Sequence, residues 1–267
     1  MNPLESILLG LTQGLTEFIP VSSSGHLSIV QNLIGASGDN FHLFLEFINI
    51  GTLLALIIFF RKRIMKILVD VFKRKNYRLA VNILITSIPA GLIGLLAAKF
   101  IEEVPFFGHL ISVGIAIGVV GVVMILVDKL PTMSKLKDEN KLTKPRALYI
   151  GLAQVLALIP GVSRSASTIL TGRMMGLNSK SAAEYSFLAS IPLMCGVVLK
   201  TFLSSSDRIY FMDNFWTLML SNAVALVSGL VALRLVLGYL KRRGALQTFG
   251  WYRVVVASLV LIIALIQ

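Results

Sequence analysis

Long apolar runs separated by short polar stretches, most of them basic, set the pattern of this chain. From Phe41 to Phe60 the residues are apolar over a span length, interrupted by Glu46 and Asn49, and the run stops at Arg61-Lys62-Arg63. Comparable runs extend from about Tyr77 to Phe100, Leu110 to Leu130, Ala183 to Phe202, Phe215 to Leu240 and Trp251 to Ile266. Each approaches the roughly 20 residues that carry a helix across a bilayer. Two segments depart from the pattern. Pro3 to Ile34 is apolar at both ends but is cut by Pro20 and by Ser22-Ser23-Ser24-Gly25-His26, so neither flank spans by itself. Ala147 to Met175 repeats the arrangement, with a Gln followed by Ile-Pro and a Ser cluster, here Pro160-Gly161 and Ser163-Arg164-Ser165. Each reads as two half-helices joined at membrane depth, the first stopped at its proline and the second capped by a serine.

The pattern therefore predicts an all-α polytopic membrane protein with six transmembrane helices and two re-entrant helical hairpins. Each half reads hairpin, span, span, span. Three spans invert the second half in the bilayer, so residues 1–267 are expected to form a single integral membrane domain of two inverted-topology repeats, about 1–130 and 145–267. Glu46 follows Pro20 by 26 residues and Glu184 follows Pro160 by 24, which extends the repeat into the next span. Loops rich in Lys and Arg, between Arg61 and Arg78 and between Lys129 and Arg146, are expected on the cytoplasmic side; the turn at Glu102-Glu103-Val104-Pro105 and a loop at Ser204 to Asn214 are expected outside. Pro89 and Pro192 should kink their helices, and Gly114 to Gly121 reads as close helix packing and not as a nucleotide loop.

Composition agrees with this class. Hydrophobic residues make up 56% of the 267 and charged residues 14%, with a mean hydropathy of +0.83, which excludes a soluble domain around one core. The net charge of +12 would suggest nucleic acid in a soluble protein, but the basic residues gather in short loops, so a nucleic-acid partner is rejected. A single cysteine, Cys195, excludes an internal disulfide and is expected as a small core residue, and Met1 to Leu11 shows no cleavable leader. Asp128, Asp138 and Glu139 read as solvated loop carboxylates, His42 and His109 as interfacial ends, and Arg173 and Lys180 as headgroup neighbours.

The polar residues inside the hairpins need a reason, because polar groups in apolar surroundings are expensive. Irregular backbone at membrane depth is tolerated where it lines a wet cavity. Two helix N-termini beginning at serine clusters would point into that cavity and attract an anion, with Arg164 as a planar fork and Ser22, Ser23, Ser24, Ser163 and Ser165 as further donors for phosphate oxygens. Gln13 and Glu17, four residues apart, share a helix face that could hold a divalent ion together with substrate phosphates, as magnesium prefers. His26 lies within a turn of Ser23. The imidazole can activate the serine, attack phosphorus itself or protonate a leaving group, and the residues do not choose among these. Glu17 also has a plainer account as a buried pair partner of Arg164, and the serines as caps. Glu46 and Glu184 are expected either in the site or just behind it.

The stretches Gln13-x-x-x-Glu17, Pro20-Val-Ser-Ser-Ser-Gly-His26 and Pro160-Gly-Val-Ser-Arg-Ser165 give the chain, over its whole length, a resemblance to the bacterial undecaprenyl-diphosphatases of the bacitracin-resistance family. The resemblance implies removal of the terminal phosphate of undecaprenyl diphosphate, giving the lipid carrier of cell-wall precursors. It also implies dependence on a divalent cation, Mg2+ or alternatively Ca2+, and a site at the outer face of the plasma membrane. Its functional residues fall on Gln13, Glu17, Ser22, Ser23, His26, Ser163 and Arg164, with Ser24, Gly25 and Ser165 beside them for substrate. Gln13 is one of two residues the leading motif position permits, which weakens a two-carboxylate metal site, and Ala166 stands where the family often has Gly. The implied partners are a polyprenyl diphosphate lipid and membrane lipids, with a homodimer left open. A transporter or flippase of polyprenyl phosphates using the same pocket is the competing reading.

Overall fold

The computed structural model of the chain describes residues 2–35, 41–104, 109–130, 136 and 139–266, with the side chains at 98–103 and 266 excepted. The described residues are predominantly helical, in α1 (Pro3–Phe18), α2 (Ser23–Ile34), α3 (Phe41–Phe47), α4 (Asn49–Phe72), α5 (Arg78–Glu103), α6 (Leu110–Lys129), α7 (Lys144–Val155), α8 (Arg164–Met174), α9 (Ser179–Leu203), α10 (Ser205–Asp213), α11 (Phe215–Tyr239) and α12 (Ala245–Ile266). Six of them, counting α3 and α4 as one, are long and apolar enough to cross a membrane. Their outer faces are apolar: Ile88, Leu95, Val119, Leu126, Val227, Leu235 and Leu259 are 56–65% exposed, as residues facing lipid would be.

The short helices have local causes. Asn2 caps α1, accepting from the Glu5 amide at 2.8 Å while Glu5 accepts from the Asn2 amide at 3.0 Å, and Pro3 sits where its missing N–H costs nothing. α1 ends at Phe18, just ahead of Pro20. At 16 and 12 residues, α1 and α2 are roughly 24 and 18 Å long, short of a hydrocarbon core of roughly 30 Å.

The halves pack crosswise, α1 along α11 and α7 along α5, while α6 lies along α12. The two crosswise contacts share chemistry. Ser221 Oγ donates to Ser6 O at 3.0 Å, and Thr86 Oγ1 donates to Ala147 O at 2.9 Å; four residues on, Gly10 and Gly151 let the backbones approach so closely that a Cβ would stand 2.5 Å from Ser221 O or 2.8 Å from Thr86 O. Gln13 and Gln154 come three residues later in each. The glycine-rich face of α6 does pack closely, with Gly121 against Gly250 of α12.

Several boundaries differ from expectation. The basic run Arg61-Lys62-Arg63 is helical, because apolar residues from Ile64 to Phe72 carry α4 onward, and Ser204 to Asn214 holds the helix α10 capped by Ser204. α12 begins at Ala245, six residues ahead of the predicted start. Asp128 and Glu139 are buried ion-pair partners of Arg173 and Arg63, and Asp128 also accepts from the Gln247 amide at 3.0 Å, since three helix ends converge there. Arg173 thus serves that junction and not a headgroup. Cys195 is exposed on the outward face of α9, where apolar residues meet no other helix. His42 and His109 are exposed at helix ends. Pro105, Lys135, Lys137 and Asp138 lie outside the described residues.

Candidate active site

Each helix pair turns through a strained serine. Ser22 and Ser163 have φ of 78° and 77°, a left-handed conformation that L-residues other than Gly seldom adopt. Each then caps the helix it precedes: Ser22 Oγ accepts from the Gly25 amide at 3.3 Å, and Ser163 Oγ from the Ala166 amide at 3.2 Å. Two residues on, Ser24 and Ser165 approach these caps, Oγ to Oγ, at 3.3 and 3.1 Å. The same backbone device thus occurs twice, and it makes Ser23 and Arg164 the first residues of their helices. Pro20 and Pro160 do not correspond in it; Gly161 takes the place matching Pro20.

The two first residues meet at Glu17. Ser23 donates its hydroxyl to Glu17 Oε2 at 2.5 Å, and Arg164 Nη2 donates to Glu17 Oε1 at 2.5 Å. Gln13, one turn back, donates from Nε2 to Glu17 Oε2 at 3.2 Å and to Asn49 Oδ1 at 2.8 Å. The pair is secluded, with 12% of the Glu17 side chain and 14% of the Arg164 side chain exposed. Among the described residues, Arg164 Nη1 is buried with no hydrogen-bond acceptor. A buried cationic N–H left unpaired costs free energy, so it marks where an acceptor belongs.

His26 points elsewhere. Its Nδ1 lies 2.8 Å from Ser22 O, which can only accept, so Nδ1 carries the proton; Nε2 then accepts from the Tyr252 hydroxyl at 2.9 Å, and the two rings stack at 5.8 Å. Ser23 pairs with the carboxylate and not with this imidazole. Ser165 is buried and donates to Ile19 O at 3.4 Å, which ties the second turn to the first. Gly25 is buried where a Cβ would stand 2.7 Å from Ile117, and Ser24 is exposed. Glu46 accepts from Thr201 at 3.1 Å and faces Lys200 at 4.0 Å; Glu184 pairs with Lys180 at 3.2 Å and lines a cavity of about 360 Å³ with Arg63 and Glu139. Neither joins the Glu17 cluster by a hydrogen bond.

Three participants were not placed in the site by sequence. Asn49 holds Gln13, Tyr252 holds His26, and Arg253, fully buried, spans both turns. A last span read from Trp251 places Arg253 at its mouth, where an arginine can reach headgroups. The helix starts at Ala245, which puts it in the third turn, and an ionisable residue inside a span is the signal that would have found it.

The metal site rests on few ligands. Among the described residues, no group of three or more His, Cys, Asp or Glu side chains could hold an ion. Glu17 is the carboxylate in the cluster and already receives three donors, so an ion fits only if it shares Glu17 and draws its other ligands from Gln13 and from bound phosphate oxygens.

Fold and cluster together define a class: a multi-pass membrane protein in which two helix pairs converge a carboxylate, a hydroxyl and a guanidinium on one buried point. A family model described as bacitracin resistance protein BacA matches residues 6–259, and the chain belongs to that family. It is similar to an undecaprenyl-diphosphatase of Parvibaculum lavamentivorans, 34% identical over 262 residues that cover 98% of this chain and 96% of the relative. It is also 30% identical over 264 residues to undecaprenyl-diphosphatase 2 of Paramagnetospirillum magneticum, covering 99% of this chain and 100% of that one. An undecaprenyl-diphosphatase of Acinetobacter baumannii is 31% identical over 264 residues, covering 98% and 96% respectively.

Proposed function

We propose that this protein is a phosphohydrolase that removes the terminal phosphate of undecaprenyl diphosphate and releases undecaprenyl phosphate. The observation that carries the reading is the buried, unpaired Arg164 Nη1 beside a serine whose hydroxyl already donates to a carboxylate. An incoming phosphate oxygen satisfies the orphan donor, and the serine lies next to it. The names of the relatives support the substrate.

In this reading Arg164 grips the terminal phosphate with its fork, helped by the N-terminal amides of α2 and α8. Ser23 gives its proton to Glu17 as Oγ attacks the terminal phosphorus; the bridging P–O bond breaks, and its electron pair leaves with undecaprenyl phosphate. Water then attacks the phosphoserine, the P–Oγ bond breaks, Glu17 returns its proton to Ser23 Oγ, and inorganic phosphate leaves with both hydrogens of the water. His26, one turn along α2, would join the proton transfer only by releasing the Tyr252 hydroxyl from its Nε2. A divalent cation, Mg2+ with Ca2+ as the alternative, would be held by Glu17, by the Gln13 amide oxygen after its amide turns, and by diphosphate oxygens. When bound it would neutralise phosphate charge. The basic ends of α4 and α11 support a cytoplasmic face there, and the reading has the site open to the opposite, outer face of the plasma membrane. The common serine device and crosswise packing support two inverted repeats whose short helix pairs are re-entrant hairpins. The carrier reading gains nothing from a serine bonded to a carboxylate.

The test is phosphate release from undecaprenyl diphosphate by detergent-purified protein, with and without a chelator. Release that the chelator stops is expected. No release with added Mg2+ or Ca2+ would overturn the assignment.

A further inference from the structure

Arg253 heads the fully buried side chains of the described residues in size, and the reaction proposed above does not use it. A buried guanidinium is expensive unless every donor finds an acceptor. Here the acceptors are all main-chain carbonyls. Nε donates to Ile117 O of α6 at 3.1 Å, Nη1 to Pro20 O at 3.2 Å, and Nη2 to Gly161 O at 2.7 Å and Val162 O at 3.2 Å. Pro20 belongs to the turn between α1 and α2, and Gly161 and Val162 to the turn between α7 and α8. One rigid, planar fork therefore bonds both turns at once.

Those carbonyls sit beside the reacting groups. Pro20 is three residues from Glu17 and three from Ser23; Val162 is two residues from Arg164. Apart from Arg253, the hydrogen bonds that tie the two helix pairs together at their turns, among the described residues, are the Glu17–Arg164 pair and the long Ser165 bond to Ile19 O. The first of these weakens when Glu17 takes the Ser23 proton and loses its charge. Something else then has to keep Ser23 and Arg164 in register, because a displacement of about 1 Å can cost on the order of a hundredfold in rate.

We propose that Arg253 is a positioning residue of the reaction: it clamps the two turns from beneath and fixes Ser23 and Glu17 relative to Arg164 throughout the cycle. The inference rests on the phosphohydrolase reading. Lysine at this position keeps the positive charge but offers donors from a single point, and it cannot bond both turns in the directions the fork does. Arg253→Lys therefore separates position from charge.

The experiment measures kcat and KM for phosphate release from undecaprenyl diphosphate by the purified full chain, with thermal unfolding in the same detergent. Wild type must release phosphate; if it does not, the proposed function fails, and the inference falls with it as a separate, recognisable result. Given active wild type, Arg253→Lys is expected to fold and to lose at least about tenfold in kcat with KM within about threefold. Arg234→Lys, at an exposed position of α11, is expected to match wild type. In an Arg164→Gln background, Arg253→Lys should add little further loss, because there is no longer a grip to keep in register. A second variant shifts the clamp without changing its charge: a Cβ at Gly121 would stand 2.9 Å from both Arg253 Cβ and Gly250 O, which would displace the stretch of α12 that carries Arg253, and Gly121→Ala should also lower kcat more than it raises KM. A folded Arg253→Lys with wild-type kcat would overturn the proposal. So would a full additional loss on top of Arg164→Gln, or failure of both Arg253→Lys and Gly121→Ala to fold, which would assign Arg253 to the fold alone.

Discussion

Glu17 performs two tasks that pull in different directions. It accepts from Ser23 at 2.5 Å, as a base must, and it neutralises Arg164 until a phosphate arrives. Glu17→Gln keeps the shape and removes both tasks, so kcat should fall by about 10²–10⁴-fold, read from phosphate release under saturating substrate. The same change leaves Arg164 with no anionic partner, and the unfolding temperature should drop; added inorganic phosphate should recover part of it, since ligand binding to the folded state stabilises it. At the imidazole the expectation is milder. Tyr252→Phe keeps the ring stack and removes one hydroxyl donor, so kcat should fall by less than about tenfold.

Among elements, the contacts of α1 with α11 and of α7 with α5 hold the helix pairs in place, and both depend on a glycine. Gly10→Ala and Gly151→Ala would push a Cβ into backbone at 2.5 and 2.8 Å and should each cost about 1–3 kcal/mol, seen as a lower unfolding temperature. Gly196 and Gly238 lie in helices with nothing within 4 Å of an added Cβ. There the same change should stabilise by about 0.5–1 kcal/mol, because alanine gives up less backbone freedom. The elements themselves were legible in the sequence: an apolar run of span length permits little besides a helix, and Pro20 with its serines announced the break. The ends were less legible. Arg61-Lys62-Arg63 looked like a stop, yet backbone hydrogen bonding and the apolar residues through Phe72 extend α4 past it. Glu17, Ser23 and Arg164 stood out as polar groups in apolar surroundings. Asn49, Tyr252 and Arg253 reach the same place from spans far off in sequence, and no local pattern ties them to it.

For the molecule as a whole, the two halves are proposed to be inverted copies, so that ends separated by an odd number of crossings open on opposite sides. In a Cys195→Ser background, Ser206→Cys should react with an impermeant maleimide from the outside of intact cells, and Lys73→Cys only after permeabilisation. Labelling of both from one side would contradict the inversion. Loop charge supplied this orientation from sequence, and the serine device seen in both turns is what a repeat would carry, whichever way each half faces. Sequence anticipated that Glu17 of one half could pair with Arg164 of the other; what it could not supply is the crosswise packing of α1 on α11 and of α7 on α5 that accompanies the pairing.

That convergence is tested most directly by a mutant cycle on phosphate release from undecaprenyl diphosphate: wild type, Glu17→Gln, Arg164→Gln and the double variant. One shared site predicts that each single change costs on the order of a hundredfold or more, and that the double variant is no slower than the worse single one. Single variants at the wild-type rate, or losses that multiply fully in the double variant, would contradict it.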